Sequence, residues 1–129
     1  MKKEEKSQVI ESLVGQLEKT THFYLTDISK LTAEKTSMLR RQFFNKNIKM
    51  QVVKNSLLRK AMEKSTGRDY ADFMGAPLKG STAILFTEVG NEPAKIIKEF
   101  RKTSEKPLLK AAFVEQSVYI GDDQLNALA

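Results

Sequence analysis

Cysteine is absent from this chain of 129 residues, and histidine occurs once, at His22. Without cysteine there is no disulfide framework and no thiolate ligand, and a single histidine cannot supply the usual zinc set. A nucleophilic triad needs a base beside its serine or cysteine. His22 stands at the start of a β-favouring run with no motif around it and reads as an ordinary strand-edge histidine. No apolar run approaches the length of a membrane span, and the N-terminal MKKEEKSQ leads into an amphipathic segment, not a signal peptide. The loops Gly75 to Gly80 and Gly90-Asn91 do not fit the phosphate-binding pattern G-x-x-x-x-G-K-[ST], because Ser81 and Thr82 follow Gly80 with no lysine. The carboxylate pairs Glu4/Glu5 and Asp122/Asp123 fall in helix first turns, where the helix dipole accounts for them. These absences point away from an enzyme and from a metal or cofactor centre. A reduced, cytoplasmic protein that meets no membrane is expected.

A further absence is local. No acidic residue falls between Glu34 and Glu63, and Lys35, Arg40, Arg41, Lys46, Lys49, Lys54, Arg59 and Lys60 stand there unopposed. The net charge is +6, and its excess belongs to the first half: residues 1–64 carry 14 basic and 7 acidic groups, residues 65–129 carry 8 and 9. A one-sign patch attracts a polyanion, and nucleic acid is the commonest polyanion in a cell. The same pattern also suits a solvated face that keeps the protein soluble, or a protein–protein module whose basic face meets an acidic partner. Tyr24, Phe43 and Phe44 are candidate stacking platforms for unpaired bases. Phe43 lies in line with Leu39 on an apolar stripe, which favours core packing, whereas Phe44 lies off that stripe.

Along the chain, residues 3–19 read as a helix with Val9, Ile10, Leu13, Val14 and Leu17 on one face. His22 to Thr26 suits a buried strand. Ser29 or Thr32 then caps a second helix, about 32–46, with Met38, Leu39, Gln42 and Phe43 on one side, which Asn45-Lys46-Asn47 breaks because asparagine tolerates the left-handed conformation. Residues 48–52 alternate as a strand, and Asn55 is placed to cap a third helix, about 56–65. Asp69 caps a short turn anchored by Tyr70, Phe73 and Met74, and Gly75 to Gly80 form a loop. A strand over 82–86, a helix opened by Asn91-Glu92-Pro93, a strand over 108–114 and a possible edge strand at Val118 to Ile120 follow. Asp122 or Asp123 caps a last helix that Ala129 cuts short. Two strand–helix–strand units joined by an extra helix match the split βαβ plan. The expected fold is α/β (α+β): a ferredoxin-like plait with about four strands, mixed or antiparallel, packed by helices, with an additional N-terminal helix. An open parallel sheet is the alternative.

The run Val52-Val53-Lys54-Asn55-Ser56-Leu57-Leu58-Arg59-Lys60-Ala61 resembles the V-x-K-N-[TS]-L-x-[RK]-[RK]-A signature of ribosomal protein ten of the bacterial large subunit, the family at the base of the stalk. Leu39-Arg40-Arg41, Gly80 before the Thr82 to Phe86 strand, Glu92-Pro93-Ala94-Lys95 and Leu125 to Ala129 match the family in the same order. The resemblance implies one rRNA-binding domain over 1–129, in which 122–129 begins a C-terminal helix. It implies that Arg40, Arg41, Lys46, Lys54, Arg59 and Lys60 contact phosphates of large-subunit rRNA, and that Asn55 serves as helix cap, RNA contact or both. Lys2, Lys3 and Lys6 are possible additional contacts. Ribosomal protein eleven is the implied neighbour. Dimers of the acidic stalk protein seven/twelve are the implied cargo of the C-terminal helix. Gly80-Ser81-Thr82 and Asp27-Ile28-Ser29 depart from the family pattern at turns, and the chain ends where the stalk-binding helix follows, so stalk-dimer binding is expected to lie outside these residues.

Overall fold

The fold follows from strands whose successive residues are apolar on both sides. In β1 (His22–Asp27), Phe23 and Leu25 belong to one buried cluster and Tyr24 to another. The same division separates Ile84 and Phe86 from Ala83 and Leu85 in β3 (Ser81–Thr87). A sheet apolar on both faces must be covered on both faces. The computed structural model, which describes residues 3–20, 22–29, 31–64, 81–114 and 117–129, meets that demand with three layers.

The sheet is antiparallel throughout, with strand order β2-β3-β1-β4-β5, where β2 is Lys49–Lys54, β4 is Leu108–Val114 and β5 is Ser117–Ile120. Its first four strands have the plait order expected of the split βαβ plan. The possible edge strand expected at Val118 to Ile120 is present as the four-residue β5, which adds to the outer side of β4 and makes five strands with the four of the plait. One face is covered by α1 (Lys3–Lys19) and α3 (Asn55–Lys64), which pack on each other through Ile10, Leu13, Leu17, Leu57, Leu58, Ala61 and Met62. The other is covered by α2 (Ala33–Asn45) and α4 (Glu92–Phe100), with Leu39, Phe43, Ala94, Ile97 and Phe100 inward. Within the first layer Phe23 and Phe113 stack across β1 and β4 with ring centroids 5.6 Å apart.

Local devices set the ends. The Thr32 hydroxyl accepts the Lys35 N–H at 3.1 Å and so caps α2, one of the two caps the sequence offers. At the other end Ile48 N–H donates to Phe43 O and Asn47 N–H to Phe44 O, with Asn47 at φ 59°. This is the double hydrogen bond of a left-handed helix stop. Its apolar partner Ile48 sits in the same cluster as Phe43. The turn after β3 is closed by the Tyr24 hydroxyl, which donates to Gly90 O. Burial pushes that phenol well above its ordinary pKa, so it stays a donor. A Cβ at Gly90 would meet Val114 Cγ1 at 2.6 Å, so a side chain there would force the Val114 side chain to shift.

Pairing of β1 with β4 slips between Leu25 and Thr26, which face Ala111 and Leu109, leaving Lys110 as a bulge. The bulge is why Leu109 belongs to the α2–α4 cluster while Ala111 belongs to the α1–α3 cluster. Two expectations about caps are corrected. Asn55 is the first residue of α3, joined to β2 without a loop, and is not a residue ahead of it. Asp122 and Asp123 lie within a turn of 3-10 helix, Asp122–Gln124, that leads into α5 (Leu125–Leu128), and neither caps through its side chain. The turn with Asp69, Tyr70, Phe73 and Met74 and the loop from Gly75 to Gly80 lie outside the described residues.

Candidate nucleic-acid interface

β2 is an edge strand, and it separates the two helices that carry most of the acid-free stretch. From α2 come Arg40 and Arg41, with Lys46 in the turn that follows; from the strand itself Lys49 and Lys54; from α3 Arg59 and Lys60. All seven are exposed. Helical spacing explains how. Leu39 and Phe43 on α2, and Leu57, Leu58, Ala61 and Met62 on α3, take the inward positions, which leaves the basic residues between them on the outer surface.

The cations are not equally free. Arg40 Nη1 donates to Met50 O at 2.9 Å, so its guanidinium bridges α2 to the open edge of β2 and occupies a carbonyl that a foreign strand would otherwise find. Arginine carries five N–H donors, and four remain. Lys49 Nζ reaches across to Gln16 Oε1 on α1 at 3.0 Å. The ion pairs Arg101–Asp122, Lys102–Glu99 and Lys106–Asp27 all lie outside the stretch. Nothing in the sequence between Glu34 and Glu63 supplies a carboxylate to neutralise it.

Asn55 stands apart from the other expected site residues. It is 5% exposed; its Oδ1 accepts the Thr82 hydroxyl, and among the described residues its Nδ2 has no partner. Thr82 Oγ1 also receives Lys110 Nζ at 3.1 Å. Burial lowers the Lys110 pKa, with the charge of Asp27 opposing. Asn55 thus belongs to a polar line running under α3 toward the bulge, not to the outward row of cations. Lys3 and Lys6 are exposed on α1, and Lys2 lies outside the described residues. His22 is buried at the start of β1 opposite Thr87. Of the three aromatics, Tyr24 and Phe43 are fully buried, while Phe44 is 76% exposed beside Arg40, which the break in the apolar stripe anticipates.

No group of three or more His, Asp or Glu that could hold a metal occurs among the described residues, and no described helix is long and apolar enough to cross a membrane. What remains is an antiparallel α/β plait with exposed cations on its β2 edge and on the helices either side of it. The family description "Ribosomal protein L10" matches residues 1–102. The chain is similar to proteins named large ribosomal subunit protein uL10. It is 56% identical to that of Christiangramia forsetii over 99% of this chain and 73% of the relative. It is 54% identical to that of Flavobacterium johnsoniae over 100% and 76%, and 38% identical to that of Cytophaga hutchinsonii over 100% and 77%. The chain belongs to the ribosomal protein L10 family, a structural, non-enzymatic component of the large ribosomal subunit.

Proposed function

We propose that this chain is a single rRNA-binding unit that docks on large-subunit rRNA at the stalk base of a cytoplasmic ribosome. Arg41, Lys46, Lys54, Arg59 and Lys60 contact phosphates. Arg40 does so with the donors left over from Met50. Asn55 supports the surface from beneath through Thr82, and Lys2, Lys3 and Lys6 extend the positive field at the N-terminus. Ribosomal protein eleven is the neighbour. In the family pattern a C-terminal helix following this fold carries dimers of the acidic stalk protein seven/twelve, through which translation factors are recruited.

The observation that carries the reading is the set of exposed cations on α2, β2 and α3, none of which makes an ion pair among the described residues. Folded RNA is recognised largely by shape and backbone, so a dispersed cationic surface is the form such binding takes. Arginine grips phosphate with two parallel N–H donors, and lysine adds a mobile point charge. Titration of the chain with a stalk-base fragment of large-subunit rRNA over a salt series tests it. About five phosphate contacts predict a linear fall of log affinity with log salt, with a slope of about −3 to −5. A flat response, or equal affinity for an unrelated folded RNA, overturns the proposal.

A further inference from the structure

Between the end of α2 and the start of β2 lies a cleft of about 420 Å³ lined by Arg40, Phe44, Asn47, Ile48, Lys49 and Met50. We propose that this cleft is a stacking pocket for one unpaired base of the bound RNA, with the Phe44 ring as its platform. The proposal rests on the rRNA-binding reading and adds to it a non-electrostatic contact.

Phe44 is the most exposed large apolar side chain of the described residues, at 76%. A single exposed apolar residue is unremarkable by itself. This one stands in a different setting. It borders a cleft of the size that takes small aromatic ligands, and every lining side chain is cationic, neutral polar or apolar. Its place in the chain is set firmly, since Phe44 O accepts Asn47 N–H in the helix stop and Phe43, the preceding residue, is fully buried. The ring is therefore held outward by a fixed backbone.

The remaining groups suit a base better than an apolar peptide. Arg40, anchored on Met50 O, has donors left for the carbonyl and ring-nitrogen acceptors of a base edge. Asn47, held at φ 59°, carries a carboxamide that both donates and accepts. Lys49, which also lines the cleft, matches a phosphate beside a splayed nucleotide. An apolar peptide brings backbone carbonyls but no phosphate to meet Lys49. Reading of unpaired bases on aromatic rings is a general mode of RNA recognition.

Phe44→Ala tests this in the 129-residue chain with the stalk-base rRNA fragment. The substitution removes a side chain that is mostly in water, so the melting temperature stays at the wild-type value. Affinity falls about tenfold, as loss of a base–aromatic stack predicts, and the salt slope is unchanged because no phosphate contact is lost. Chemical probing shows one unpaired nucleotide protected by the wild type and reactive with the variant, and Phe44→Trp restores both affinity and protection. Unchanged affinity with Phe44→Ala, or a reduced salt slope, overturns the pocket. So does a variant that binds RNA normally but loses purified ribosomal protein eleven, since the ring then meets protein. Failure of the wild type to bind with a steep salt dependence removes the rRNA reading and the pocket together. A salt-dependent wild type with a silent Phe44→Ala removes the pocket alone.

Discussion

On α2, β2 and α3 the basic side chains between Glu34 and Glu63 are exposed and make no ion pair among the described residues, whereas Arg101, Lys102 and Lys106 around α4 and β4 are tied down. Arg101 donates to both oxygens of Asp122 at 2.6 Å, Lys106 Nζ to Asp27 at 2.8 Å, and Lys102 pairs with Glu99 at 2.9 Å. Residue types are the same in both regions. The partners differ. A cation already bound to a carboxylate has spent its charge on the fold and offers little field to a ligand; a cation without one keeps it. The two regions also differ in what their charges hold in place. Asp122 accepts from Arg101 and from Leu109 N–H at 2.8 Å, which fastens the 3-10 turn ahead of α5 to β4. Lys102–Glu99 is a largely solvated pair and contributes little.

The comparison predicts that substitutions in the two regions have opposite signatures. Arg41→Glu with Arg59→Glu is the largest expected effect: rRNA affinity falls by about a hundredfold or more, the salt slope becomes shallower by about two, and unfolding stability does not move. Arg40 is left alone in this test because it also holds the β2 edge. Equal losses from these reversals and from a reversal at Lys98 and Lys102 would mean that net charge, and not these positions, drives binding. Asp122→Ala is expected to do the reverse. It leaves Arg101 and the Leu109 N–H without their acceptor and lowers stability by about 2 kcal/mol in urea unfolding, with rRNA affinity unchanged. A variant of wild-type stability would show that the Arg101–Asp122 contact is replaced by water at no cost.

Much of this architecture is readable from local pattern. The α1 stripe, Leu39 and Phe43 on α2, the Asn47 stop and the apolar run of β3 each depend on residues a few positions apart, where periodicity and backbone preference speak directly, although Met38, expected on the same side as Leu39, is 47% exposed. The exposed basic row is legible for the same reason, because the inward residues of α2 and α3 identify the outward ones by elimination. What escapes are features made by distant partners. Asn55 has the side chain of a good helix cap, yet it meets Thr82 from 27 positions away and goes inside. Asp122 looks like a first-turn carboxylate, and Arg101, 21 positions upstream, claims it. The Lys110 bulge arises because β1 must satisfy two neighbours, a constraint no single strand displays.

The smallest effect expected is also the one with a pH signature, at Asp27. Burial by itself would raise this carboxyl. Hydrogen bonds from Lys106 and from the Ser29 side chain and amide, with the Lys106 charge, overcome that and hold it at about 2, against an ordinary 3.8. A carboxylate with a lowered folded-state pKa contributes stability that is fully present above the unfolded value and is lost as pH falls toward the folded one. The shift is worth about 2.5 kcal/mol at most, and solvent at a side chain 26% exposed reduces this to about 1–2 kcal/mol. Asp27→Asn is therefore expected to cost about that much at pH 7. The gap between variant and wild type should close as pH falls from about 5 to about 2, where the wild-type carboxyl is itself protonated. Urea unfolding of both chains at pH 7, 5 and 3 measures it. A gap that stays constant across that range would assign the loss to the hydrogen-bond geometry of the side chain, and not to its charge. Affinity for rRNA at pH 7 should be the same in both chains, because Asp27 neutralises Lys106 on the tied-down side of the molecule and leaves the cations of α2, β2 and α3 as they were.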